Sequence, residues 1–129
     1  MHPKEVILSF WNAMKSNDFV KASEWLSLDF EGFWPQSGEL ILGRDNFVAI
    51  NTFYPANGLW LFEIHSVVCE GSTVVTDVSV TDGVQKARAI TFHTIENGLI
   101  SKQTEFWPDE MPAKEWRAKW VKIVSNQTR

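Results

Sequence analysis

From Leu59 onward the chain consists of four long strand-like stretches separated by tight-turn signals, and this meander constrains the fold more than any other feature. Leu59 to Cys69 is followed by Glu70-Gly71-Ser72, Thr73 to Thr81 by Asp82-Gly83, and Lys86 to Ile95 by Glu96-Asn97-Gly98. Asp-Gly and Asn-Gly pairs enter the positive-φ conformations of two-residue hairpins with little strain. The fourth stretch opens at Gly98, runs through Trp107 and is stopped by Pro108. Four antiparallel strands of this length are long enough to curl.

The preceding half alternates helix and strand. Pro3 suits the first turn of a helix, and Val6, Ile7, Phe10, Trp11 and Met14 then fall on one face. Asp18 can cap a second short helix that offers Phe19, Ala22, Trp25 and Leu26 to the same side. Leu28 to Trp34 reads as a strand, Pro35 to Gly38 as a turn, and Glu39 to Leu42 as the returning strand of a small hairpin. Arg44 to Tyr54 reads as a third helix, ended by Pro55. After Pro112 a final helix is expected, with Trp116, Trp120 and Ile123 at i, i+4 and i+7, and Ser125 to Arg129 are expected to fray. The order predicts a single α+β domain over residues 1–129. In it, a cone-shaped, curved antiparallel sheet wraps around the N-terminal helices and leaves a pocket at its open end.

Seven Trp and nine Phe in 129 residues must cover a core, a ligand cavity or a subunit interface. A net charge of -4 without a basic run argues against nucleic acid and anionic membrane as partners. The single Cys69 excludes an internal disulfide and any multi-Cys metal site, and three scattered His lack metal-ligand spacing. No metal and no cofactor are therefore expected. Met1 to Glu5 leads straight into an amphipathic pattern, and no apolar run is long enough to span a bilayer, so a cytoplasmic protein is expected.

Glu105 is the leading candidate for acid–base work. On a strand it shares a face with Ser101, Gln103 and Trp107. An apolar cavity would raise its pKa toward neutrality, whereas on a solvated face it would be an ordinary carboxylate or half of an ion pair. His93, on the neighbouring strand with Thr91 and Ile95, could exchange a proton with Glu105, or be a core-edge histidine bonded to a neighbour. His65 is a third titratable candidate. Asp77 stands alone on the more polar face of its strand. Trp11, Met14, Phe30, Trp34, Phe47, Tyr54, Trp60, Phe62 and Trp107 are core residues by composition, and some of them should border a pocket for a greasy ligand. Trp116 and Trp120 could lid that pocket or join a partner subunit.

The chain resembles the NTF2-like superfamily and, within it, the SnoaL-like, polyketide-cyclase-like proteins. The resemblance rests on the helix with Phe10-Trp11, the short helix with Asp18, the strand ending in Trp34-Pro35, Gly43 before the third helix, Glu70-Gly71, and the last strand from Gly98 to Trp107. It implies the cystatin-like α+β barrel and a homodimer built sheet to sheet. The superfamily spans isomerases, cyclases, dehydratases, epoxide hydrolases and members without chemistry. Glu105 matches the acid on the last strand of SnoaL-type cyclases. The base Asp of ketosteroid isomerases falls on Trp34 and their oxyanion-hole Tyr on Phe10, and the Arg–Asp pair of limonene-type epoxide hydrolases finds no counterpart. The implied function is binding of a small hydrophobic molecule, with metal-free isomerase, cyclase or lyase chemistry at Glu105. The alternative is a non-catalytic dimeric ligand-binding or protein-association module.

Overall fold

The computed structural model describes residues 1–125. Helix α1 (Pro3–Lys15) starts with Pro3 in its first turn and with His2 Nδ1 accepting the Lys4 amide hydrogen. Its Val6, Ile7, Phe10, Trp11, Ala13 and Met14 are all buried, which is the apolar stripe the sequence carries. Helix α2 (Phe19–Ser23) is capped by Asp18, whose carboxylate accepts the Lys21 amide at 3.1 Å. Strands β1 (Leu26–Trp34) and β2 (Glu39–Leu42) form the small hairpin, and α3 (Gly43–Phe53) follows. The meander is β3 (Leu61–Glu70), β4 (Thr73–Thr81), β5 (Lys86–Glu96) and β6 (Leu99–Phe106).

All six strands join one unclosed sheet in the order β2-β1-β6-β5-β4-β3. Within the meander every pairing is antiparallel, as expected. At the β5–β6 turn Asn97 has φ 53° and Gly98 φ 74°, the paired positive values a two-residue hairpin of this twist requires. One joint departs from an antiparallel sheet: β1 lies parallel to β6. Parallel neighbours need a crossover connection, and here the chain passes through α3 to the far edge before the meander returns it.

Register shifts interrupt the ladders between Ile64 and Ser66, between Thr94 and Ile95, and between Leu26 and Glu31. Such bulges add local twist and bend a sheet, here around α1. The concave face carries Val74, Thr76 and Val78 of β4 and Ala89, Thr91 and His93 of β5, each with no accessible surface. A relay of rings crosses the interior. Phe30 and Phe47 stand 5.9 Å apart, Phe47 and Phe10 6.0 Å, Phe10 and Trp11 5.3 Å, and Trp11 and Phe62 5.7 Å, in tilted or edge-on arrangements. Gly32 makes room for it, since a Cβ there would stand 3.2 Å from the Phe30 ring.

The C-terminal segment corrects one expectation. Instead of an α-helix after Pro112 there is a short 3-10 turn, Glu115–Trp120, with Trp116 and Trp120 73% and 68% exposed. The i, i+4, i+7 stripe has no apolar surface to lie on, and a short helix without tertiary burial is marginal in water. Each indole instead meets a neighbouring cation, Arg117 at 5.7 Å from the Trp116 ring and Lys119 at 4.8 Å from Trp120. Of the tail expected to fray, residues 126–129 lie outside the described part. No described helix is long and apolar enough to cross a membrane.

Asp82, read from sequence only as a turn residue, ties two loops together. One carboxylate oxygen accepts the Val84 and Gln85 amides at 2.9 and 2.7 Å, and the other accepts the Asn57 amide at 2.8 Å and the Gln85 side chain at 2.8 Å. These donors, led by the Asn57 amide, hold the carboxyl well below the usual carboxylate range. With the folded value depressed, the stabilisation is complete above the unfolded value of about 4 and is lost progressively as pH falls from there through the folded value. Asp82→Asn is expected to lower the thermal midpoint at pH 7 by roughly 5 °C, followed by circular dichroism, with the gap to wild type narrowing as pH falls below about 4.

Candidate functional site

Near the end of β6, Glu105 projects from the concave face with Gln103. Strand β5 sets Thr91 opposite Glu105 and His93 opposite Gln103. The parallel joint brings the end of β1 alongside, with Phe33 opposite Thr104. The result is a carboxyl held at both oxygens: Trp34 Nε1 donates to Oε1 at 3.1 Å, and Thr91 Oγ1 donates to Oε2 at 2.6 Å. Burial raises the Glu105 pKa above its ordinary value, while hydrogen bonds from Thr91, Trp34 and Trp107 partly oppose the rise. The Trp107 backbone N–H donates to Gln36 Oε1, fastening the β1–β2 turn to the end of β6.

Glu105 forms part of the wall of a cavity of about 600 Å³. Trp11, Met14, Trp34 and Phe47 line it, as do Tyr54, Trp60, Phe62 and Trp107. Tyr54 and Trp60 meet edge-on at 5.8 Å. The polar part of the wall includes Glu39, Lys86, Gln103 and Asp109 beside Glu105. Phe30 is not on the wall; it is buried beneath it, in the relay of rings. His65 also lies elsewhere, on β3, where Nε2 shares a 2.6 Å hydrogen bond with Ser79.

His93 sits behind the cavity rather than on its wall. Its ring is fully buried, edge-on to Phe10 at 6.2 Å and to Trp11 at 6.4 Å. Nε2 is 2.8 Å from Thr76 Oγ1, which also accepts the Trp11 indole N–H at 3.3 Å. Nδ1 is 3.0 Å from the amide nitrogen of Gln103, whose oxygen is left to the pocket that Gln103 lines. Burial pushes the imidazole down to about 3, so the ring is neutral near pH 7. The partners of Glu105 are thus Thr91, Trp34 and Trp107, while His93 holds Gln103. The sequence alone marks neither Thr91 nor Gln103 as functional. The period-two pattern of β6 puts Gln103 on the Glu105 face, whereas the place of Thr91 depends on cross-strand register.

Asp77 does not stand alone. The Arg88 guanidinium grips it from β5, with Nη2 at 2.8 Å and Nε closer still. The Arg88 hydrogen bond lowers the Asp77 pKa. Both lie on the convex face, since their neighbours Thr76, Val78 and Ala89 are buried on the concave one. This pair is therefore remote from the cavity. Among the described residues no three His, Cys, Asp or Glu side chains converge in a way that could hold a metal ion.

The profile of the SnoaL-like domain family matches residues 7–103. The chain belongs to the SnoaL-like family. No curated protein sequence matches it. Among solved structures, a ketosteroid-isomerase-type protein from Kribbella flavida superposes with a TM-score of 0.88 at 22% identity, covering 97% of this chain and 91% of that one. An NTF2-like protein of unknown function from Burkholderia xenovorans superposes at 0.78, with 28% identity and 95% of each chain covered. A SnoaL-like polyketide-cyclase-type protein from Jannaschia gives 0.65 at 17% identity, over 81% of this chain and 84% of that one. The first and third likenesses show the NTF2-like fold alone. In this SnoaL-like domain the position that the resemblance gave to an isomerase base holds Trp34, and its indole N–H is directed at Glu105.

The depressed imidazole leaves a signature in stability. The unfolded chain binds a proton at His93 below pH 6.5 and the folded chain does not until about 3. Stability is full above the unfolded value and falls as pH drops between the two. In urea unfolding, the stability of wild type relative to His93→Gln should fall by roughly 3 kcal/mol between about pH 6.5 and pH 4, which isolates the imidazole from the opposite contribution of Glu105.

Proposed function

We propose that this SnoaL-like domain binds a small, largely apolar molecule in its pocket and that Glu105 is the group that moves a proton there, in chemistry of isomerase, cyclase or lyase type. The observation that carries the reading is the carboxyl itself. It projects into a wall of indoles, its pKa is raised by burial, and neutral donors hold both of its oxygens. A carboxyl shifted toward neutrality and aimed at a ligand-sized cavity is matched to general acid–base work.

The test uses aryl ketones with an exchangeable α-hydrogen in D2O, followed by NMR, with binding measured by calorimetry. Wild type is expected to catalyse deuterium uptake, and Glu105→Gln to lose about 100-fold in rate while keeping binding within about 3-fold. The rate should fall as pH drops through a value above that of a free glutamate. Equal exchange by wild type and variant would remove Glu105 from the chemistry, and a failure of any apolar probe to bind would remove the pocket.

A homodimer through the convex sheet face is also proposed. Phe92 and Phe106 lie edge-on at 6.2 Å on that face, 46% and 37% exposed, an apolar pair that solvent does not favour. Sedimentation should give a dimer at micromolar concentration, and Phe92→Asp should shift it to monomer with the fold retained.

A further inference from the structure

We infer that the molecule this pocket takes is an organic cation, an apolar body carrying one protonated or quaternary amine, with the nitrogen held at Glu105 among the indole faces. The inference rests on the binding part of the reading above and names its ligand class. Its first ground is the missing counter-ion. The donors to Glu105 are the Trp34 and Trp107 indoles and the Thr91 hydroxyl, all neutral, and the one ion pair among the described residues is Asp77 with Arg88 on the other face of the sheet. A carboxylate withdrawn from water and given only neutral donors retains most of its charge to be met by something else.

The rest of the wall has the same bias. Glu39 and Asp109 line the cavity with Glu105 against the single lysine, Lys86. Gln103 has turned its amide nitrogen to His93, so the group left to the cavity is its oxygen, an acceptor. With His93 neutral, no positive charge reaches the cavity through it. The charged part of the wall is thus more acidic than basic, and Gln103 adds an acceptor beside Glu105. Around them stand Trp34, Trp60, Trp107 and Tyr54. Aromatic faces attract cations through their quadrupole, most strongly where water is excluded, and give a neutral alcohol no such gain. A bound ammonium would also reverse the penalty that burial places on the Glu105 carboxylate, so cation binding should tighten as pH rises through the Glu105 pKa.

Three probes of one shape decide it: 2-naphthylmethylamine, 2-naphthylmethanol and 2-naphthoate, titrated into the full chain by calorimetry at pH 7.5 and low salt. The amine is expected to bind at least about 10-fold more tightly than the alcohol, and the carboxylate most weakly. In Glu105→Gln the advantage of amine over alcohol should shrink to within about 2-fold, with alcohol affinity kept. The wild-type comparison stands on its own should the variant fold poorly. If amine and alcohol bind wild type equally, the cation inference is overturned and the apolar-ligand reading survives. If none of the three binds, both fall together.

Discussion

A strongly bent sheet needs something inside the bend, and here that is the aromatic face of α1. Phe10 and Trp11 are buried against the concave strands, and they link through Phe47 and Phe62 to α3 on one side and β3 on the other. Removing apolar surface from water is the main force holding such an arrangement, and burying a ring of this size contributes about 2–3 kcal/mol. One helix cannot fill the whole concavity. The helix occupies part of it, and what remains, lined by side chains too large to collapse upon one another, is the cavity of about 600 Å³. The pocket is in this sense a remainder of the packing problem, and its aromatic lining continues the aromatic core.

Two polar assemblies are set into that apolar interior with different logic. The Trp11–Thr76–His93–Gln103 chain is closed: each ring nitrogen of His93 has a partner, and its burial keeps it neutral. A satisfied buried network specifies geometry, since every member left unpaired would carry a desolvation cost of about 1–3 kcal/mol. The Glu105 group is open. Its donors fix the carboxyl in place, yet they leave its charge unmatched and its pKa displaced upward. The closed and the open group thus fall on alternate rungs of the β5–β6 ladder, Gln103 with His93 and Glu105 with Thr91, on the same face of the sheet.

Much of the architecture is legible in local signals. The Asn97-Gly98 turn, the Asp18 cap, the α1 stripe and the four meander strands each follow from a residue type or a period that acts over a few positions. What the sequence leaves open is register and long-range adjacency. The Asn97-Gly98 turn pairs Glu96 with Leu99 and Ile95 with Ile100, and continuing that count would set Ile90 against Glu105. One extra residue at Ser101 shifts the ladder and brings Thr91 there instead, and no short motif announces that bulge. The parallel joint of β1 with β6 is hidden for the same reason, because it is a consequence of where α3 deposits the chain. It is also why Trp34 could be placed on a wall from sequence, and its bond to Glu105 could not. The last helix failed in the opposite way: its spacing is helical, but periodicity is only an offer of a face, and nothing in the fold accepts it.

The parallel joint has a consequence for when the site comes into being. Trp34 and Glu105 are separated by 71 positions, and the strands that carry them are neighbours only after the whole meander has been laid down. A chain emerging from the ribosome can form α1, the first hairpin and even the first turns of the meander while its carboxyl is still unsynthesised. The closing of β6 onto β1 completes the sheet and assembles the pocket in one event. Contacts of this range must meet their loop-closure entropy before they return any stabilisation, which places them late in folding. Partly folded forms would therefore hold most of the secondary structure without the cavity around Glu105.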